Sequence, residues 1–120
     1  MTLIPRIEQA SAEQVRELLE EAWNTIAPGR GVSWALANAR RFTVMLDAEA
    51  WTSAAEMLVP ETHFWSICMK GGATGFSACC QARGDALERS DAATPALALA
   101  AACLRAKGLQ AGSHSGTCTA

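Results

Sequence analysis

Tyrosine is absent from the 120-residue sequence, and only two histidines occur, His63 and His114. Nucleophilic catalysis by serine or cysteine needs a histidine or a similar base held beside the nucleophile. His63 lies beside a predicted strand and His114 in a loose tail rich in glycine and serine, so neither suggests such an arrangement. We therefore expect no enzymatic activity, no catalytic residue and no cofactor.

Charge is scarce, and long apolar runs are missing. Charged residues make up 18% of the chain and the net charge is -2, so the field is too weak to favour direct binding of nucleic acid. The longest apolar run, Ala96–Leu104, has about half of the roughly 20 residues that a bilayer crossing needs. The first nine residues lack a secretory signal pattern. We expect a soluble, cytoplasmic protein with no membrane partner.

The five cysteines do not form a recognisable metal or disulfide framework. Their number is odd, all lie in the second half of the chain, and no Cys-x-x-Cys pair occurs. Adjacent cysteines in a strand point to opposite faces. We therefore expect no metal site, and we interpret Cys68, Cys79 and Cys80 as buried thiols of an intracellular protein.

The length and a hydrophobic content of 50% fit one domain. We predict a single α+β domain over residues 1–108 and a flexible tail over 109–120. A capping box at Ser11 and Gln14 opens a helix that runs to about Ile26. A weaker helical pattern over Ser33–Arg41 and a short strand over Phe42–Leu46 follow.

A further helix is predicted between Asp47, as its cap, and Pro60. Thr62–Met69 and Phe76–Arg83 alternate as strands of a hairpin over residues 62–83. The hairpin should form a small antiparallel sheet sandwiched by helices, and Gly84–Asp91 should be a surface connection.

The last helix has the most complete signals. Thr94 is placed as its cap, Pro95 as its first residue and Gly108 just beyond its end. Its body is alanine and leucine nearly all round, so it must pack on the sheet and on another helix or subunit. On this ground we expect a homo-oligomer.

These segments resemble a known family in their order along the chain. The segments are Leu58-Val59-Pro60, an aromatic strand at His63–Ile67, a glycine-rich turn, a second strand and the run Ala93–Ala102. In this order they are similar to the phage ABA sandwich domain over about residues 51–107. Its members are small phage and prophage proteins, mostly of unknown function. The resemblance implies a phage setting and no catalytic residues.

Arginine and tryptophan dominate protein interfaces. Four tryptophans occur; we interpret Trp23, Trp51 and Trp65 as core and Trp34 as the best candidate for exposure. The predicted hairpin tip offers a second basic position. The candidate partner-binding residues are Arg30, Trp34, Arg40, Arg41, Lys70 and Arg83.

Three functional hypotheses remain open. The first, from the resemblance and the missing chemistry, is a non-catalytic phage or prophage accessory protein that binds and inhibits a host protein, as in counter-defence. The second is an oligomeric binder of a small nucleotide ligand, with Lys70 or Arg83 facing a phosphate. The third is a minor virion component.

Overall fold

The computed structural model describes residues 3–69, 75–82 and 86–108. The three strands form one antiparallel sheet in the order β1-β2-β3. The predicted α+β class with a small antiparallel sheet is confirmed, as is the hairpin between β1 and β2. The elements are α1 (Leu3–Gln9), α2 (Val15–Ile26), α3 (Val32–Asp47), α4 (Trp51–Glu56), β1 (His63–Met69), β2 (Phe76–Ala82), β3 (Glu88–Ala92) and α5 (Pro95–Ala106), with short 3-10 turns at Ala12–Gln14 and Ala27–Arg30.

Helix α5 is the centre of the core. Every residue from Ala96 to Leu104 is buried. The Thr94 side chain accepts a hydrogen bond from the Leu97 amide at 3.1 Å, Pro95 is the first helical residue, and Gly108 has a positive φ of 70°. The predicted limits of this helix are therefore confirmed.

The chain itself covers α5 on all sides. Strands β2 and β3 contact the helix, and α1, α2 and α4 pack against it as well. The prediction that α5 packs on the sheet and on another helix or subunit is confirmed for the helix. Burial of α5 therefore gives no ground for a homo-oligomer, which stays a prediction. Among the described residues, no helix combines the length and the apolar character needed to cross a membrane.

The face of the sheet towards α5 is built from small side chains. Ala78 and Cys80 are fully buried on β2, and Ser90 and Ala92 are buried on β3. In the register of the sheet, Ala78 lies opposite Ser90. Small residues in these positions leave room for α5 to approach the sheet closely.

Two stretches fold differently from their sequence prediction. Phe42–Leu46 is not a strand but the last part of α3, because Phe42 and Leu46 lie one helical turn apart and are both buried. Asp47 ends α3 and does not cap α4, which begins after Ala50.

The segment predicted as a surface connection, 84–91, runs into a third strand. Glu88–Ala92 pairs with β2, and its small residues Ser90 and Ala92 face α5. Arg89 and Asp91 alternate with these on the opposite side, and Glu88 begins the strand, which explains the polar composition of the segment. Helix α1 was not predicted either; Ile4 and Ile7 are its buried residues.

Ion pairs join neighbouring helices. Arg6 on α1 donates two hydrogen bonds, of 2.8 and 2.7 Å, to the Glu21 carboxylate on α2. Arg16 on α2 donates to Asp47 at the end of α3 at 2.7 Å. Both pairs are more than a third exposed, so they orient the helices more than they stabilise them.

The Arg6–Glu21 pair predicts an acid-dependent contribution to stability. The hydrogen bonds from Arg6 lower the pKa of Glu21 from its ordinary value. The contribution is therefore present above the ordinary glutamate pKa and is lost as the pH falls through the lowered pKa. In urea unfolding, Glu21→Gln should be slightly less stable than wild type at pH 7, and the difference should shrink towards pH 3.

The control for this experiment is Glu56→Gln, an exposed glutamate on α4. It should follow the wild-type pH profile more closely than Glu21→Gln does. A stability difference for Glu21→Gln that stays constant from pH 7 to pH 3 would contradict the role given to the ion pair.

The start of α3 depends on a glycine. Gly31 has φ 98° and ψ 149°, a conformation open almost only to glycine, and a Cβ there would meet no atom within 4 Å. Gly31→Ala should therefore lower the free energy of unfolding by about 1–3 kcal/mol through backbone strain alone. Gly29→Ala is the matched control. Gly29 does not have a positive φ, and a Cβ added there would also meet no atom within 4 Å. Equal melting temperatures for the two variants would show that no strain is present.

Candidate partner-binding surface

Helix α3 lies at the periphery of the molecule. It packs on α4 and on the 3-10 turn Ala27–Arg30, and its aromatic side chains reach α2. Four of the six predicted binding residues lie on this turn or on α3: Arg30, Trp34, Arg40 and Arg41. The other two, Lys70 and Arg83, lie outside the described residues.

The inner side of α3 is an aromatic stack. The Trp23 ring lies between Trp34, at a centroid distance of 5.2 Å, and Phe42, at 4.5 Å, with interplanar angles of 29° and 20°. Such offset stacks stabilise a fold beyond the area that they bury. Trp34 is half-buried and has a structural role, so the interpretation of Trp34 as the most exposed tryptophan is wrong. Trp65, predicted to be core, is 40% exposed.

Arg30 is also turned inward. Its guanidinium carbon lies 3.7 Å from the centroid of the Trp34 ring, and Nη1 donates to the Met57 carbonyl at 3.0 Å. Burial lowers the pKa of Arg30, and the Glu61 carboxylate acts in the opposite direction. An arginine remains charged under these conditions. Arg30 and Trp34 therefore satisfy each other and are poorly placed to receive a partner.

The outer side of α3 carries an exposed row of side chains. Val32 and Leu36 are each 75% exposed and Val44 is 55% exposed; Arg40 is exposed between them. Residues four apart on a helix are neighbours on its surface. We call these four residues, Val32, Leu36, Arg40 and Val44, the α3 outer row.

The charge near the outer row is positive. Arg40 and Arg41 are both exposed, and Asp47, the only acidic residue of α3, is paired with Arg16. The arginines extend long apolar stems beside the aliphatic residues. The surface can thus hold an apolar segment with carboxylates at its margin, and it offers no group for acid–base chemistry.

The sequence prediction found the arginines and missed the aliphatic residues. A strand over Phe42–Leu46 would separate Val44 from the helix that contains Leu36, so the sequence prediction does not align the aliphatic residues on one helix. The spacing of four from Val32 onward was the available signal. The four-residue spacing of Arg30 and Trp34 could likewise have indicated their mutual contact.

The thiols form no metal site in the part of the chain that the structure describes. Cys80 and Cys103 are fully buried, Cys79 is half-buried and Cys68 is exposed, so the buried-thiol interpretation is wrong for Cys68. A hydrogen bond with Cys80, together with burial, raises the pKa of Cys103 well above its ordinary value. The same bond lowers the pKa of Cys80. The arrangement fits core packing between β2 and α5.

A polar surface pocket of about 400 Å³ lies beside β3, lined by Glu8, Arg89, Ser90 and Asp91. Arg105 donates to the Ser90 hydroxyl and to the Glu8 carboxylate, each at 2.8 Å. These bonds tie α5 to β3 and α1. The two carboxylates of the lining are paired with arginines, Glu8 with Arg105 and Asp91 with Arg89. The pocket is therefore a network of ion pairs and gives no specific support to a nucleotide ligand.

Comparisons with family models, curated proteins and solved structures found no match to this chain. The resemblance to the phage ABA sandwich domain has no support from them.

The two sides of α3 should respond differently to truncation. Trp34→Ala removes one aromatic stack and the contact with Arg30, so the free energy of unfolding should fall by on the order of 2 kcal/mol. Leu36→Ala, two residues further along, should change it by less than about 0.5 kcal/mol because the side chain is exposed. Chemical denaturation followed by tryptophan fluorescence measures both. Equal losses would contradict the assignment of inner and outer sides.

Proposed function

We propose that the protein is a non-catalytic binding protein that holds an acidic, amphipathic segment of another protein against the α3 outer row and thereby inhibits that partner. The observation that carries the proposal is the exposure of Val32 and Leu36, each 75%, in one row with Arg40. Isolated apolar side chains on a surface are ordinary, but an aligned group with arginines is the composition of an interface.

The energetics set what the partner must supply. Full burial of a valine or leucine side chain contributes about 1.5–3 kcal/mol, whereas association costs at least about 4 kcal/mol in lost freedom of motion. Three aliphatic residues therefore give only a weak complex by themselves. Carboxylates facing Arg40 and Arg41 would add attraction and orientation, which is why we propose an acidic partner.

The biological setting of the proposal comes from the sequence. The resemblance to phage proteins suggests a phage or prophage accessory protein acting on a host protein.

The test uses substitutions on the outer row. Leu36→Asp and Arg40→Glu each place a negative charge where the acidic partner would lie, so capture of that partner from host lysate should fall at least tenfold. Ser53→Asp, an exposed change of the same charge on α4, should capture as well as wild type. Binding should also weaken as the salt concentration rises.

Two results would contradict the proposal. One is recovery of no stoichiometric protein partner from host lysate. The other is a partner that the outer-row variants and Ser53→Asp retain equally. A melting temperature that rises with one nucleotide from a panel would favour the small-ligand hypothesis instead.

A further inference from the structure

Strand β1 has one edge that no other described strand covers. It pairs with β2 on its other side, and it lies first in the sheet order. All seven of its residues pair with β2 in an unbroken register from His63↔Ala82 to Met69↔Phe76, without a bulge. The His63 amide donates to the Pro60 carbonyl at 3.0 Å. Beyond it, from Phe64 to Met69, the outer edge is a straight stretch of backbone, the kind of template on which another strand can add.

The side chains of β1 are unusually exposed for a strand. Phe64 is 66%, Trp65 40% and Met69 74% exposed. Phe64 lies on the opposite face of the strand from Trp65 and Met69. Large apolar groups are thus exposed on both faces of β1, and a strand added at its edge would contact them on both faces.

The other edge of the sheet is protected in the ways that natural proteins use. Three of the five residues of β3 are charged: Glu88, Arg89 and Asp91. Helix α1 also packs against β3. Strand β1 contains no lysine, arginine, aspartate, glutamate or proline. Since charges, proline, bulges and coverage are the usual protections of an edge strand, β1 is the less protected edge of the sheet among the residues that the structure describes.

We propose that β1 pairs antiparallel with β1 of a second copy of this chain, about a two-fold axis at Ser66, so that two sheets join into one of six strands. This inference does not rest on the α3 outer row. Ser66 is the middle residue of β1, so this register aligns the two strands along their full length. It places Ser66 opposite Ser66 of the second copy, and it pairs His63 with Met69, Phe64 with Cys68 and Trp65 with Ile67.

A second copy fits because the strand is complementary to itself. In this register each aromatic residue lies opposite an apolar or thiol side chain on the same face, and such cross-strand pairs stabilise a sheet. No charged side chains lie opposite each other. The two small Ser66 side chains at the axis let the strands approach without a clash.

The geometry of the joined sheet is also consistent. The two-fold axis of an antiparallel pair is perpendicular to the sheet, so both α5 helices lie on the same face and do not obstruct pairing. A single strand pair buries less than the roughly 1,200 Å² of a stable interface, which is typical of weak complexes. The dimer should therefore dissociate on dilution.

The experiment is sedimentation equilibrium of the full chain over a thousandfold range of concentration. Wild type should convert from monomer to dimer as concentration rises. Ser66→Lys and Ser66→Asp each place like charges opposite each other at the axis. Each variant alone should therefore stay monomeric to a concentration at least tenfold higher than wild type does. An equal mixture of the two variants should restore the dimer, because only a lysine and an aspartate then meet.

The controls separate this interface from folding and from the α3 outer row. Ser66 is exposed, and the far-ultraviolet circular dichroism of both variants should match wild type. Ser53→Lys, the same change on α4, and Leu36→Asp should dimerise as wild type does.

Three results would overturn the proposal. Wild type that stays monomeric at every concentration shows that no second copy binds. A dimer that survives in Ser66→Lys alone shows a different interface. A mixture of the two charge variants that stays monomeric excludes a two-fold axis at Ser66.

Discussion

Complete burial of α5 is the constraint on which the rest of the structure depends. A helix of alanine and leucine has no polar face to leave in water, so the chain must surround it. Here β2 and β3 cover one side and α1, α2 and α4 cover the others. The small side chains of α5 make this possible, since alanine lets several neighbours approach the same helix closely. The domain is built outward from this one element.

The parts predicted best from the sequence are those specified by local chemistry. Thr94, Pro95 and Gly108 define α5 through capping and backbone conformation, and these signals act within a few residues. The hairpin between β1 and β2 follows from alternation around a glycine-rich turn. In both cases the deciding interactions lie close along the chain, so no knowledge of distant contacts is needed.

The parts predicted wrongly are those decided by contacts between distant segments. Phe42 is followed by two β-branched residues, Thr43 and Val44, so the local preference there is ambiguous between helix and strand. Its ring is fixed by stacking on Trp23, nearly twenty residues away, and this contact keeps α3 helical. Likewise Glu88–Ala92 looks polar, yet pairing with β2 and packing under α5 make it a strand. Because Phe42–Leu46 was predicted as a strand, the aliphatic residues of the α3 outer row were not predicted as part of the candidate site.

The same constraint decides which surfaces remain for binding. The core is formed around α5, and α3 and β1 have fewer contacts with this helix than the other elements of the sheet and core do. Helix α3 packs only through its inner aromatic side, and β1 contacts α5 less extensively than β2 or β3 does. Their exposed apolar residues, Leu36 on one and Phe64 on the other, therefore serve no purpose in the isolated fold. Because exposed apolar groups add nothing to stability and promote association, the two peripheral elements are where a partner and a second copy gain most from contact.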